Sequence, residues 1–289
     1  MPKPVVAVTM GDPSGIGPEV VVKAARNPTV RRSCRILILG DPSLLHKAGA
    51  PRWPIRDPSS VTPFPGAVVV EPVTMLDATK VRPGRPTSGG GEAAYQYITR
   101  AVELVGTGVA DAMVTAPISK KALNDAGHSY PGHTELLADL THTREVRMML
   151  YGRRLRVVLA TVHVPLVEVA PALTRKRVRT TIELTHRSLE QWFGLEKPRL
   201  AVAALNPHGG EDGMFGTEER RVIGPVVRDC SAQGISVFGP FPADSLFHRV
   251  AGGEFDAAIC MYHDQGLGPF KLLHFSDGVN LTLGLPLIR

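Results

Sequence analysis

The sequence has little cysteine, and its cysteines are not arranged as a metal or disulfide site would need. Its 289 residues contain three cysteines that lie far apart, with no Cys-x-x-Cys pair. Neither a thiolate zinc site nor a disulfide framework is therefore indicated. This pattern is typical of the reducing cytoplasm, which is the location we predict.

Long uninterrupted apolar runs are also missing. No stretch reaches the ~20 residues that a membrane-spanning helix needs, and the proline-interrupted N-terminal ten residues do not form a signal peptide. The net charge of +6 comes from scattered basic residues, and the densest run, Arg175-Lys176-Arg177, indicates a solvated helix face. We predict no membrane and no nucleic-acid partner, because a small anionic ligand is enough to explain the excess.

Two glycine-rich signatures of nucleotide binding are absent from the loop at residues 11–19. It has neither the Gly-Lys-Ser/Thr of a P-loop nor the Gly-x-Gly-x-x-Gly of a Rossmann fingerprint. Its glycines permit a tight turn and close ligand approach, and Pro18 suits a first helical turn. The alternative is a structural strand-to-helix turn. Our candidate cofactor-binding residues are Gly11, Asp12, Gly15 and Gly17.

Apolar strands alternate with helical stretches along the chain. This alternation predicts an α/β protein with a largely parallel sheet, and the length suggests about two domains. The predicted strands include residues 5–10, 36–39, 67–70, 112–114, 155–161, 200–205 and 257–261.

The stretch from residue 258 to residue 289 has the strongest functional pattern. Its apolar strand stops at Tyr262–Gly266, which we predict to be a polar turn. Ligands of open α/β sheets lie outside the carboxyl ends of strands. Lys271, Asn280 and Arg289 follow at steps of nine, so two cations and an amide near an imidazole indicate a metal beside an anionic substrate. The alternative is a surface turn followed by a solvated strand.

Three predicted strands end at or just before a histidine, namely His163, His208 and His263. Because the ends of parallel strands share one edge, the three imidazoles could converge on a catalytic metal with an open coordination position. Imidazole favours Zn²⁺, Co²⁺ or Ni²⁺, and Mg²⁺ is less natural. Asp264 is a candidate to orient the rings. The alternative is that each histidine is structural.

His133 and Thr134 open a further predicted helix, which runs through Leu140. An anion could bind the backbone N–H groups at such a helix start. Our expectation from the residues alone is simpler, with Thr134 capping the helix.

Distinctive motifs are spread over nearly the whole chain. They are MGDPSGIGPE (10–19), TAPISK (115–120), YPGHTELLA (130–138), LNPHGGEDGMFGTEE (205–219), GPFPAD (239–244), and YHDQGLGPFKLL with VNLTLGLPLIR (262–289). With these motifs the chain resembles the 4-hydroxythreonine-4-phosphate dehydrogenase family of vitamin B6 biosynthesis. Their number and order make the resemblance highly specific.

The resemblance implies a two-domain fold like that of isocitrate and isopropylmalate dehydrogenases. It also implies a homodimer whose active site lies at the interface, with one metal-binding imidazole supplied by the partner subunit. We expect an N-terminal α/β domain of residues 1–130, completed by 275–289. Residues 131–274 would form the domain for metal, substrate and dimerisation.

The resemblance also implies roles for particular residues. The cofactors would be NAD or NADP and one divalent ion, Zn²⁺, Co²⁺ or Mg²⁺. Lys120 and Asp264 are our candidate acid–base groups. Chains of the family usually continue with a segment containing Asp-His-Gly-Thr-Ala, which resembles an adenine-binding loop, and this sequence stops before it at Arg289. The metal ligands map onto His163, His208 and His263, and the substrate contacts onto His133, Thr134, Lys271, Asn280 and Arg289.

The expected reaction is oxidation of 4-phosphooxy-L-threonine to a 3-oxo acid that loses CO₂. One alternative is a sibling dehydrogenase acting on D-threonate or D-erythronate 4-phosphate, or on a cis-dihydrodiol. A metal-dependent lyase or hydrolase without nicotinamide, or a catalytically silent metal and anion binder, would belong to a different class.

Overall fold

The computed structural model describes residues 3–57 and 67–289, and the chain forms two compact units. One unit comprises Met1–Arg144 with Leu285–Arg289, and the other comprises Glu145–Gly284. These limits differ from the expected divisions after residues 130 and 274. The helix His133–Leu140 packs with the helix Ser88–Gly106, and the strand Val279–Leu283 pairs with Arg147–Tyr151.

The first unit is built on a four-stranded parallel sheet. Its strands are β1 (Val5–Thr9), β2 (Arg35–Gly40), β3 (Val68–Pro72) and β4 (Ala112–Thr115), and its helices are α1 (Gly17–Arg26), α2 (Pro28–Ser33), α3 (Pro42–Lys47), α4 (Ser88–Gly106), α5 (Lys120–Asp125) and α6 (His133–Leu140). The strand order is β3-β2-β1-β4, and every pairing is parallel. In β2 the run from Ile36 to Gly40 is buried without alternation, as expected for a parallel strand covered on both faces.

Helix α4 contains three consecutive glycines, Gly89–Gly91, in its first turn. Thr87 caps the helix by accepting a hydrogen bond from the Gly90 N–H at 3.2 Å. A Cβ on Gly91 would collide with the Ala122 carbonyl of α5. The glycine therefore permits close helix packing.

The second unit contains a six-stranded mixed sheet. Its strands are β5 (Arg147–Tyr151), β6 (Arg156–Leu159), β7 (Leu200–Ala203), β8 (Val237–Phe241), β9 (Ala257–Cys260) and β10 (Val279–Leu283), and its helices are α7 (Leu166–Ala172), α8 (Arg175–Phe193), α9 (Gly224–Ala232), α10 (Ala243–Ala251) and α11 (His263–His274). The strand order is β10-β5-β6-β9-β7-β8. Only β5 runs antiparallel to its two neighbours, β10 and β6. The prediction of an α/β fold with largely parallel sheets is confirmed.

Apolar side chains cover both faces of this second sheet. Along β6, Val158 packs into one buried cluster while Val157 and Leu159 pack into another, as the alternation of strand side chains requires. Within residues 3–57 and 67–289, no helix combines the length and apolar character needed to cross a bilayer.

The turn predicted at Tyr262–Gly266 is wrong, because helix α11 begins there at His263. Gly266 lies inside that helix and faces the sheet. A Cβ at this position would lie 2.9 Å from Val157 Cγ1 and 3.0 Å from Leu159 Cδ2. The glycine therefore lets α11 pack closely against β6, which a sequence pattern cannot distinguish from a chain reversal.

Candidate functional site

The strands that precede the three predicted metal ligands are neighbours in the sheet. Strands β6, β9 and β7 lie side by side and parallel, with β9 in the middle. His163 follows β6, His263 follows β9 and His208 follows β7. All three histidines therefore leave the sheet at the same carboxyl edge, where ligands of α/β proteins lie.

His163 and His263 form an imidazole pair at this edge. Their ring centroids are 5.6 Å apart and the ring planes are tilted by 44°. His263 opens α11, and its Nδ1 lies 2.7 Å from Oδ1 of Asp264. A carboxylate on one ring nitrogen fixes the tautomer and leaves Nε2 free as an electron-pair donor.

A buried glutamine ties the strand that leads to His263 to its neighbour. Gln265 accepts a hydrogen bond from the Met261 N–H at 2.7 Å and donates one to the Ala204 carbonyl at 2.6 Å. These two backbone groups lie just beyond the ends of β9 and β7. Gln265 therefore positions the start of α11, and with it His263, against the end of β7.

His208 lies on a different kind of backbone. It belongs to the turn Pro207–Gly213, in which six consecutive residues adopt positive φ, and it is itself exposed with φ 52°. Across the described ranges, no three His, Cys, Asp or Glu side chains lie close enough to hold a metal. A three-histidine site complete within one chain, as residue patterns alone suggested, is not found. The expectation that a partner subunit completes the site stays a prediction.

Two of the predicted substrate contacts also lie in the second unit. Lys271 is an exposed residue of α11, and its Nζ lies 5.9 Å from the centroid of the Phe275 ring. Asn280 is exposed on β10, opposite Leu150 of β5. Both side chains are open to solvent and so are accessible to a ligand.

The glycine-rich loop of the first unit packs tightly against the segment that follows β4. Gly11 adopts φ +74°, and a Cβ on Gly11 or Gly17 would collide with the carbonyl of Pro117 or Met10, respectively. The atom nearest to a Cβ on Gly15 would be the Asp12 carbonyl oxygen, at 3.4 Å. Glycine is therefore required at positions 11 and 17 for packing alone, because no side chain fits there. Cofactor binding by Gly11, Asp12, Gly15 and Gly17 stays a prediction.

Asp12 is the buried acid of this loop. Its Oδ1 accepts a hydrogen bond from the Ser14 N–H at 2.8 Å. Burial raises the pKa of the Asp12 carboxyl, and the Ser14 bond partly offsets that effect.

Helix α6 begins at His133, and the expected cap by Thr134 is wrong. The cap residue is Gly132, which makes no side-chain hydrogen bond, and Thr134 is the second residue of the helix. The first N–H groups of α6 are therefore not satisfied by a capping side chain. Such N–H groups attract anions.

His133 is a neutral imidazole with an unused buried nitrogen. Burial, assisted by the charge of Arg289, lowers the pKa of His133 to about 4, although a bond to the Ala116 backbone partly offsets this. In the part of the chain that the structure describes, Nε2 is buried without a hydrogen-bond partner. That nitrogen is the one available to a ligand.

Arg289 and Lys120 lie near the start of α6. The Arg289 Nη2 donates to the Thr115 hydroxyl at 2.8 Å, and burial lowers the pKa of this guanidinium. Lys120 is the exposed first residue of α5, which Ser119 caps. A Cβ built on Gly132 would lie 3.7 Å from Lys120 Cε. Two cations and a neutral imidazole thus surround a helix N-terminus in the first unit.

Sequence reasoning missed two residues that position the candidate site residues: Gln265, which positions the start of α11, and Thr115, which binds Arg289. Gln265 was read as part of a polar turn, and only the buried environment of α11 shows that its amide binds two strand ends. Thr115 was visible as the first residue of the TAPISK motif, directly after the predicted strand 112–114. Its contact with Arg289, which lies 174 residues away along the chain, carries no local signal.

Comparisons with known proteins agree with this architecture. A model of the family described as pyridoxal phosphate biosynthetic protein PdxA matches residues 32–289. A 4-hydroxythreonine-4-phosphate dehydrogenase of Desulforapulum autotrophicum is 50% identical, covering 99% of this chain and 86% of the relative. A D-threonate 4-phosphate dehydrogenase of Cupriavidus necator is 43% identical, covering 99% and 87%. The crystal structure of a 4-hydroxythreonine-4-phosphate dehydrogenase from Klebsiella pneumoniae superposes with a TM-score of 0.90 at 40% identity, covering 99% of this chain and 90% of that one.

Proposed function

Because this chain belongs to the pyridoxal phosphate biosynthetic protein PdxA family, we propose that it oxidises 4-phosphooxy-L-threonine with NAD or NADP and a divalent metal. The C3 hydroxyl loses its proton, and the C3 hydride passes to the oxidised nicotinamide. The resulting 2-amino-3-oxo-4-phosphooxy acid loses CO₂ and takes up a proton at C2, which gives 3-amino-2-oxopropyl phosphate. The chain is an oxidoreductase, and the name of its Desulforapulum relative supports this substrate.

The observation that carries the proposal is the imidazole pair of His163 and His263. Two neighbouring imidazoles, one with a carboxylate on Nδ1, fit a divalent cation such as Zn²⁺ or Co²⁺, with Mg²⁺ less favoured by the nitrogen ligands. His163, His208 and His263 would hold the ion, with one of the three imidazoles supplied by a partner subunit. The bound ion would supply Lewis acidity that lowers the pKa of the substrate hydroxyl.

The residues of the first unit suit the polar groups of such a substrate. The Arg289 guanidinium and the open N-terminus of α6 would bind phosphate or carboxylate. The uncharged imidazole of His133 would form a hydrogen bond through its unpartnered Nε2. Lys271 and Asn280 of the second unit, together with Thr134, complete the substrate contacts that we propose.

Two side chains are candidates for moving the proton. Lys120 is exposed beside the start of α6, and we propose it as the group that accepts the hydroxyl proton. The Asp264 carboxylate is bonded to His263, so we assign it mainly to orienting that ring. Gly11, Asp12, Gly15 and Gly17 remain our proposed cofactor contacts.

We further propose that the protein is a cytoplasmic homodimer. Leu166, Val167, Leu272 and Phe275 of the second unit are 72–85% exposed, although side chains of this kind are normally buried. A symmetric interface would cover them. Sedimentation analysis should show a dimer at micromolar concentration, and a monomer would contradict this part of the proposal.

A sibling activity is the second candidate function, because the Cupriavidus relative is named as a D-threonate 4-phosphate dehydrogenase. The two substrates share the phosphate and the carbon chain but differ at C2, where an ammonium group replaces a hydroxyl. The described side chains do not separate them by charge alone.

A spectrophotometric assay of nicotinamide reduction tests both candidates. It compares 4-phosphooxy-L-threonine with D-threonate and D-erythronate 4-phosphates, each with NAD and NADP, after chelation and after metal is restored. We expect metal-dependent reduction with 4-phosphooxy-L-threonine, its loss in His163→Ala, and no change in His248→Ala, an exposed residue of α10. Faster turnover of a sugar-acid phosphate would select the sibling function. Conversion without nicotinamide reduction would indicate a lyase or hydrolase.

A further inference from the structure

The turn that carries His208 is held in an unusual backbone conformation. Its residues from His208 to Asp212 all have positive φ, including 39° at Glu211 and 55° at Asp212. Side chains other than glycine rarely adopt this region, because Cβ crowds the backbone. Some neighbouring group must therefore stabilise the turn in this form.

The buried carboxylate of Glu219 supplies that stabilisation. Its Oε1 accepts hydrogen bonds from the N–H groups of Leu205 and Asn206, each at 2.8 Å. Its Oε2 accepts a third bond from the Asn206 side-chain amide at 3.0 Å. Glu219 is 7% exposed, so water competes little for these bonds.

The backbone of the turn packs directly on this carboxylate. A Cβ on Gly210 would lie 2.8 Å from Oε2 of Glu219, and a Cβ on Gly216 would collide with the Asn206 amide. The glycines thus permit the turn to close around one buried anion. The path of the chain from β7 to His208 depends on where that anion lies.

We propose that Glu219 is the positioning residue for His208: it fixes the backbone at Leu205 and Asn206 so that the strained turn presents the imidazole for metal binding. The inference rests on the proposed function, in which His208 is one of the metal ligands. Glu219 itself does not touch the metal. It acts through the backbone, as outer groups at metal sites commonly act on the ligands.

The adjacent residue provides a matched control. Glu218 uses a single oxygen, Oε2, to accept from the Asn206 amide at 2.7 Å and from the Thr217 N–H at 3.0 Å. A glutamine at 218 retains one oxygen and can keep both bonds. A glutamine at 219 places an N–H₂ donor against the Asn206 N–H₂ donor, so one of the three bonds is lost.

The test is a titration of the metal-free protein with CoCl₂, followed by the visible absorption of bound Co²⁺. The variants are Glu219→Gln, Glu218→Gln and His208→Ala, with circular dichroism to confirm folding. We expect Glu219→Gln to weaken Co²⁺ affinity about 10–100-fold, as loss of an orienting partner does elsewhere. Glu218→Gln should stay within about twofold of wild type, the range of substitutions that leave their contacts intact.

Activity measured against Co²⁺ concentration distinguishes positioning from a general loss of structure. For positioning, Glu219→Gln should need more Co²⁺ for half-maximal activity and should regain most of its kcat at saturation. Loss of folded enzyme would lower the rate by the same factor at every Co²⁺ concentration and would leave the Co²⁺ concentration for half-maximal activity unchanged. That result would overturn the inference.

The His208→Ala titration distinguishes a failure of the proposed metal site from a failure of the proposed role of Glu219. Wild-type Co²⁺ affinity in His208→Ala would refute the proposed metal site itself. Loss of affinity in His208→Ala with wild-type affinity in Glu219→Gln would refute only the positioning role. If Glu219→Gln does not fold, Glu219→Asp keeps the charge but shortens the side chain, which pulls the carboxylate away from the N–H groups of Leu205 and Asn206. This variant should also weaken Co²⁺ binding, and unchanged binding would refute the role.

Discussion

Replacing Gln265 with methionine should destabilise the sheet edge that carries the histidines. Methionine has nearly the same length but can make neither of the two hydrogen bonds of the glutamine. The Met261 N–H and the Ala204 carbonyl would then be left in positions where their residues are 0% and 1% exposed. Each buried group left without a partner costs about 1–3 kcal/mol, so the loss is about 2–6 kcal/mol.

Calorimetry of the two proteins measures this loss. At about 2–4 °C per kcal/mol for a domain of 150–250 residues, Gln265→Met should lower Tm by at least about 4 °C. Gln191→Met, at an exposed position of α8, is the matched control and should leave Tm nearly unchanged. A drop in Gln265→Met no larger than that of the control would refute the assignment of these two bonds as structural.

Two further predictions concern the histidines. Asp264→Asn removes the carboxylate charge beside His263 Nδ1 and should weaken Co²⁺ affinity about tenfold. Asp229→Asn on α9 is the control. Equal Co²⁺ affinities in the two variants would contradict the orienting role of Asp264. The pKa of His133 lies at about 4 in the folded protein and near 6.5 when unfolded, so the unfolded chain binds the additional proton as the pH falls from 6.5 to 4. The stabilisation is complete above pH 6.5 and is lost on acidification; wild type should therefore lose more Tm over this range than His133→Gln, and parallel Tm profiles would show that His133 does not contribute.

The sequence predicted the strands better than the segments between them. Strand runs such as 36–39 and 257–261 are apolar over their full length, and burial on both faces of a parallel sheet requires that pattern. Gly266 was predicted to belong to a turn, and no role was predicted for Gly91. Both lie inside helices, because a neighbouring backbone or strand leaves no room for Cβ. Such packing reasons are tertiary and have no signature in the local sequence.

The sequence pointed to the histidines of the candidate site but not to the residues that hold them in place. Because parallel strand ends share an edge, the sequence predicted that the imidazoles of His163, His208 and His263 converge. The structure brings the rings of His163 and His263 to a centroid distance of 5.6 Å, and a metal site of all three stays a prediction. The strained turn at His208 could not be anticipated, because His, Glu and Asp have no intrinsic preference for consecutive positive φ. Glu219 carries no local signal either, since its partners lie more than ten residues earlier in the chain.

The side chains that bind backbone groups at the three strand ends follow one physical rule. Beyond the last ladder bond of a parallel strand, backbone groups lose their partners and must find others if they are buried. After β6, the Thr161 hydroxyl donates to the Met261 carbonyl at 2.7 Å; after β9, Gln265 binds the Met261 N–H and reaches Ala204; after β7, Glu219 accepts from Leu205 and Asn206. The Gln265 and Glu219 bonds satisfy backbone groups that the fold would otherwise leave unpaired, whereas the Met261 carbonyl also accepts from the Thr161 N–H at 3.2 Å. All of these bonds help to fix the direction in which a histidine segment leaves the sheet. The polar side chains needed to complete the fold at this edge therefore also set the geometry of the proposed metal ligands.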